Sequence, residues 1–271
     1  MLLSIHEHAD NFSKVLSQLS HKDDKWMLAS EWIELAASIK NVEILTASFD
    51  DTLHYCETAL YYENERSKTL QKFVYEISIF NFIWNGLEVI SKIINPSKIP
   101  NDLKKRRNII DDIIFFLKNN FPYIPELPEY TNLFTELENI IKKDPTHKNI
   151  NFNTLYNQKI CDNSGKSLAL IKLIRNDFAH GSANLPEPED WNTKSLSENE
   201  SIKKIHLSSR LLLLTQQMIL IAYFHEKAFY IYKDLSHSED TINIIQSLFT
   251  LHTTKPNIVS NLGLFYKLNH I

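Results

Sequence analysis

Residues 67–94 read SKTLQKFVYEISIFNFIWNGLEVISKII. In this stretch Phe73, Ile77, Phe80, Trp84, Leu87 and Ile94 recur at spacings of three, four and seven. That is the a/d pattern of helices packed along a seam. The stretch holds no proline and a single glycine, so nothing in it breaks a long helix. Residues 201–234 carry a second long helical pattern. Its most apolar run, Leu211 to Phe224, includes Thr215, Gln216 and Gln217. At 14 residues that run is short of the roughly 20 needed to span a bilayer and reads as a buried core helix. Two long apolar helices with shorter ones between them predict an all-α antiparallel bundle of at least four helices.

Outward from these two segments the chain divides at Asn95-Pro96-Ser97-Lys98-Ile99-Pro100, from Phe121-Pro122 to Pro128, at Asp144-Pro145 and at Leu185-Pro186-Glu187-Pro188. Residues 1–62 read as two or three amphipathic helices, with Trp26, Trp32, Ile33, Leu35 and Ala36 on a core face. Further helices are expected near 101–119, 129–143, 165–180 and 238–252. The acidic, proline-bearing 184–200 reads as a loop.

The 271 residues are 43% hydrophobic, enough for one sizeable core. Only four are glycine, against roughly 7% in average proteins, which disfavours a hairpin-rich β fold. No glycine-rich phosphate loop of either common type is present. A net charge of −4 and a pI near 6.3 do not fit a protein that coats nucleic acid, although a local basic site suffices for a nuclease. Cys56 and Cys161 form neither a metal motif nor a disulfide framework, and a reducing cytoplasm fits them. The first residues, Met1-Leu2-Leu3-Ser4-Ile5-His6-Glu7-His8, lack a basic start and a long apolar run, so no signal peptide and no membrane anchor are expected.

Chemistry concentrates at Arg175-Asn176-Asp177-Phe178-Ala179-His180-Gly181, the end of an apolar helix. A guanidinium is a permanent, forked phosphate ligand. An imidazole moves protons near neutral pH. On an ideal helix Arg175 and His180 stand about 140° and roughly 7.5 Å apart, which does not focus both on one phosphate. Either the helix ends before His180, as the following Gly181 allows, or the arginine of one subunit works with the histidine of another. Leu168, Ile171, Ile174 and Phe178 form one stripe of this helix. Ala169, Leu173, Asn176 and His180 form the opposite one, which belongs either to the internal core or to a dimer interface.

The stretch resembles the R-x4-6-H motif of the HEPN superfamily, all-helical proteins of prokaryotic toxin and phage-defence systems that include many metal-independent ribonucleases. Arg175, Asn176 and His180 match it position by position. The resemblance implies a four-to-five-helix core over 63–235 within a single helical domain of 1–271, with additions at 1–62 and 236–271. It implies a homodimer with a composite cleft, with Ala169 and Leu173 at the interface, and no cofactor or metal. The implied reaction is attack by the RNA 2′-OH on the adjacent phosphorus, with His180 as acid or base, Arg175 stabilising the phosphoryl charge and Asn176 orienting. An antiphage or abortive-infection role, with an antitoxin or regulatory partner, follows from the family alone. The rival reading is a non-catalytic HEPN-like module that binds a nucleotide or a protein.

Other groups carry less. Lys104, Lys105, Arg106 and Arg107 form either an RNA backbone track or a solvated helix start. His6 and His8 lack a third metal ligand. The pairs Asp23-Asp24, Asp50-Asp51 and Asp111-Asp112 read as solvated surface, because adjacent carboxylates on a helix diverge. Glu88, near Trp84, reads either as a partner for Arg175 or as an ordinary exposed glutamate.

Overall fold

In a computed structural model the described residues are 2–20, 23–48, 55–103, 108–120, 127–181, 183–188, 197–231, 248 and 251–253. Among them stand eight α-helices and no strand. They are α1 (Ile5–Leu19), α2 (Lys25–Ser38), α3 (Glu57–Ile94), α4 (Ile109–Asn120), α5 (Tyr130–Lys143), α6 (Phe152–Leu155), α7 (Asn163–Ala179) and α8 (Glu198–Ile231), with a 3₁₀ turn at Pro145–His147.

The seam of α3 follows its spacing. Phe73, Phe80, Trp84, Leu87 and Ile94 are buried, and Ile77 is half-buried against the core. The helix stops where Asn95 turns left-handed (φ 46°), one residue before Pro96. It begins ten residues earlier than its apolar pattern indicates. Residues 57–68 are exposed or half-buried and carry no stripe. Gly86 lets α2 lie close, since a Cβ there would stand 2.6 Å from Cδ1 of the fully buried Ile33. In α2, Trp26, Ile33 and Ala36 are buried, but Leu35 is 48% exposed. Trp32 is half-buried and stacks on Phe82. Leu35 directly precedes Ala36, and the 100° step between them turns it off the buried face.

One continuous core runs from Ile5 of α1 to Leu251. The segment around residues 248–253 lies against α1. Leu3 N–H donates to the His252 carbonyl at 3.0 Å, and the Asn11 amide donates to the Leu251 carbonyl. α1 itself opens with a reciprocal cap in which Ser4 and Glu7 bond each other's backbone N–H.

The predicted helix over 101–119 starts at Ile109, and its acidic pair is not solvated. Asp111 and Asp112 are buried. Asp111 accepts from the Asn108 N–H and pairs with Lys172 of α7, while Asp112 accepts from the Ile99 N–H at 2.9 Å. Their divergence on the helix is as expected. What the sequence does not disclose is that each direction meets a donor.

α7 packs against both α4 and α8. A buried chain of hydroxyls fixes its first half: Tyr130 of α5 lies 2.6 Å from Ser167, which lies 3.0 Å from Thr215 of α8. Two helices, Glu57–Ile94 and Asn199–Phe224, are long and apolar enough to cross a bilayer by length and composition. Half of the apolar window of the first and 89% of that of the second are buried within the fold.

Candidate functional site at the end of α7

α7 is capped at its start by Asp162, whose carboxylate accepts from the Ser164 N–H. Leu168, Ile171 and Ile174 hold one face in the core, and Phe178 meets the edge of Phe73 with ring centroids 6.0 Å apart. The helix ends at Ala179. His180 is the cap residue, with φ −99°, and its N–H still reaches the Asn176 carbonyl at 2.9 Å. Gly181 then turns left-handed at φ +66° in open space, and its N–H bonds the Phe178 carbonyl. Of the two alternatives for the motif, the early end of the helix is the geometry observed.

That ending does not bring Arg175 and His180 onto a common group within the chain. The Arg175 guanidinium sits 5.6 Å from the Trp84 ring centroid and 3.9 Å from Glu88 Oε1, with its side chain 37% exposed. Trp84 Nε1–H donates to the same Glu88 oxygen at 2.7 Å, so the three form one patch on α3 and α7. His180 is exposed, and its ring makes no hydrogen bond among the described residues. Asn176 is half-buried and lines a groove of about 370 Å³ with Ile114, Leu155, Ile160, Ala169 and Leu173. Ala169 is only 6% exposed within the single chain, so the accessible part of this face is Leu173, Asn176 and His180. Burial pushes the Cys161 thiol in the groove wall up to about 12, which leaves it without nucleophilic character near neutrality. Lys104, Lys105, Arg106 and Arg107 lie outside the described residues, as do Asp50 and Asp51.

His6 and His8 turn to different partners. His6 lies between the Ala37 carbonyl and the Tyr75 hydroxyl, and His8 reaches Gln217 at 2.7 Å. Among the described residues no three His, Cys, Asp or Glu side chains are grouped to hold a metal.

The densest charged cluster beside the motif was not legible in the sequence. His147 is 8% exposed and lies with Nε2 2.7 Å from Asp177 Oδ2 and Nδ1 3.3 Å from Asp144 Oδ2. Asp144 also accepts from the Thr146 N–H and hydroxyl and from Lys204 Nζ of α8 at 2.8 Å. Burial works against the His147 charge. The bonds and charges of Asp144 and Asp177 outweigh it and raise its pKa to about 9. Burial also works against the Asp144 charge, yet His147, Lys204 and Thr146 hold that carboxyl well below its usual range. Asp144-Pro145 reads locally as a helix break, and Asp144 does cap the 3₁₀ turn. Lys204, its partner on α8, and Asp177, the second carboxylate on His147, lie 60 and 33 residues further along than Asp144, beyond any local pattern.

None of the protein families, curated proteins or solved structures compared with the chain matches it.

Proposed function

We propose that the chain is a metal-independent endoribonuclease of the HEPN type. The observation that carries this reading is the ending of α7. It leaves His180 exposed on a glycine turn, with Arg175 half-exposed one and a half turns earlier. In the proposed reaction the RNA 2′-OH attacks the adjacent phosphorus. A bond forms from O2′ to phosphorus, and the bond from phosphorus to O5′ breaks. One histidine takes the 2′-OH proton, and a protonated histidine delivers one to O5′. The products are 2′,3′-cyclic phosphate and 5′-hydroxyl ends. Arg175 faces the charge that builds on the phosphoryl oxygens.

The contact from Glu88 to Arg175 does not argue against this role. An exposed ion pair of that kind is worth about 0–1 kcal/mol, so a phosphate that accepts a forked, charge-assisted bond displaces it. Since Arg175 lies on Trp84 and Glu88, and no described residue contacts both it and the His180 ring, the cleft is proposed to form from two copies of the chain. Leu173, Asn176 and His180 would face the partner copy. A cytoplasmic location, which the two free cysteines fit, and a toxin or abortive-infection role held by an antitoxin or regulatory protein, which rests on the resemblance, complete the proposal. A second reading, a non-catalytic module for a nucleotide or protein, has one observation in its favour: the groove beside Asn176 is within the size range of small-ligand sites.

The deciding experiment incubates RNA with wild type, Arg175→Ala and His180→Ala in EDTA. Each substitution is expected to slow cleavage by about 10²–10⁴, with helicity and melting temperature nearly unchanged. Full cleavage by His180→Ala would remove the motif from the chemistry. Assembly is tested separately by light scattering. Leu173→Glu is expected to give inactive monomers with Arg175 and His180 intact, and a wild type that stays monomeric at micromolar concentration refutes the shared cleft.

A further inference from the structure

We propose that Asp177 and His147 are positioning residues that hold the His180 turn in place. The proposal rests on the ribonuclease reading for its catalytic consequence and on the geometry alone for the tether. Asp177 grips both sides of the turn. Its backbone carbonyl accepts from the Ala183 N–H at 3.1 Å, beyond Gly181. Its carboxylate accepts from His147 Nε2 at 2.7 Å, in the 3₁₀ turn after α5. The other ring nitrogen faces Asp144, which Lys204 ties to α8. The end of α7 is thereby connected through Asp177, His147, Asp144 and Lys204 to the 3₁₀ turn after α5 and to α8.

His147 itself has no catalytic freedom. Both of its ring nitrogens face carboxylates, so the ring has neither an empty nitrogen to act as a base nor an N–H free to offer a substrate. His180, by contrast, has no hydrogen bond to its ring among the described residues. Its placement depends on the backbone of the turn, which the Asp177 carbonyl closes through the Ala183 N–H and the Asp177 carboxylate anchors to His147. A misplacement of about 1 Å at a reacting group is enough to slow catalysis by about 10²-fold.

The test compares Asp177→Ala, Asp177→Asn and His147→Gln with wild type. Amide hydrogen exchange is followed at Gly181 and Ala183, and RNA cleavage is measured over a range of RNA concentrations. In Asp177→Ala exchange at both amides is expected to accelerate, and kcat to fall about 10–100-fold with KM within about twofold. Asp177→Asn keeps an acceptor for His147 and is expected to recover most of both. If Asp177→Ala does not fold, His147→Gln carries the same comparison. Wild-type protection at Ala183 in a folded variant that lacks the bond between the Asp177 carboxylate and His147 overturns the tether. Loosened amides with wild-type kcat overturn the positioning role while His180→Ala still tests the nuclease. A wild type that cleaves no RNA removes the nuclease reading, and the exchange data then decide the tether independently.

Discussion

Between about pH 6.5 and pH 5 the protein is expected to lose roughly 3 kcal/mol of stability and about 6–12 °C of melting temperature, at 2–4 °C per kcal/mol. The source is a pair of neutral histidines where α1, α8 and the segment around residue 252 meet. His8 is buried, and its Nε2 lies 2.7 Å from Gln217 Oε1. Gln217 in turn donates to the Leu248 carbonyl and lies 3.4 Å from His252 Nδ1. Desolvation and the nearby His252 push His8 down to about 3, with Arg210 adding to the effect against the bond from Gln217. Burial pushes His252 down to about 4, and its buried Nε2 has no partner among the described residues.

Both folded values lie below the unfolded histidine value of about 6.5, so the unfolded chain takes protons that the folded chain refuses. The stabilisation is complete above that value and is lost as the pH falls through it toward the folded values. His147 does not mask the effect, because its own contribution is nearly level below about 6.5. Thermal melts of wild type and of a His8→Gln, His252→Gln double variant across this range decide the point. The double variant is expected to be flat, and a wild-type melting temperature that does not move down to pH 5 would falsify the assignment.

Asp144→Ala is expected to destabilise the protein by about 3–5 kcal/mol near neutral pH, the range for a buried pair that loses one partner. The substitution leaves the Lys204 ammonium and the His147 ring in a site where their side chains are only 12% and 6% exposed. Adding Lys204→Met is expected to recover much of the loss, since an apolar pair of similar volume avoids the stranded charge. The pH dependence has two sides. His147, raised to about 9, contributes stability that is complete below about 6.5 and is lost as the pH rises through 9. Asp144, held low, contributes stability that is present above the usual carboxylate range and is lost as the pH falls. Urea unfolding of the two variants at neutral and alkaline pH checks both the size and the sign. A loss below about 1 kcal/mol for Asp144→Ala would mean that the cluster is no more than a surface ion pair.

Helix class, the seam of α3 and the end of α7 were legible because each is local. A stripe at three and four residues, a proline after a helix and a glycine at a left-handed position act within a turn or two of chain. The same locality explains the misses. The first ten residues of α3 have no stripe to announce them, and Leu35 is exposed although its residue type is apolar. Asp111 and Asp112 look like surface until Lys172 and the Ile99 N–H arrive from elsewhere in the chain.

The amino-acid order thus determined that the chain is helical and that an arginine and a histidine stand at one helix end. Tertiary structure alone decided their company. It set Arg175 on Trp84 and Glu88 and left the His180 ring without a hydrogen bond among the described residues. It also drew the buried Asp144 and His147 and the half-buried Asp177 and Lys204 into one cluster. Helix periodicity repeats within a few residues, whereas a buried charge is neutralised by whatever the packing of distant helices brings within about 3 Å.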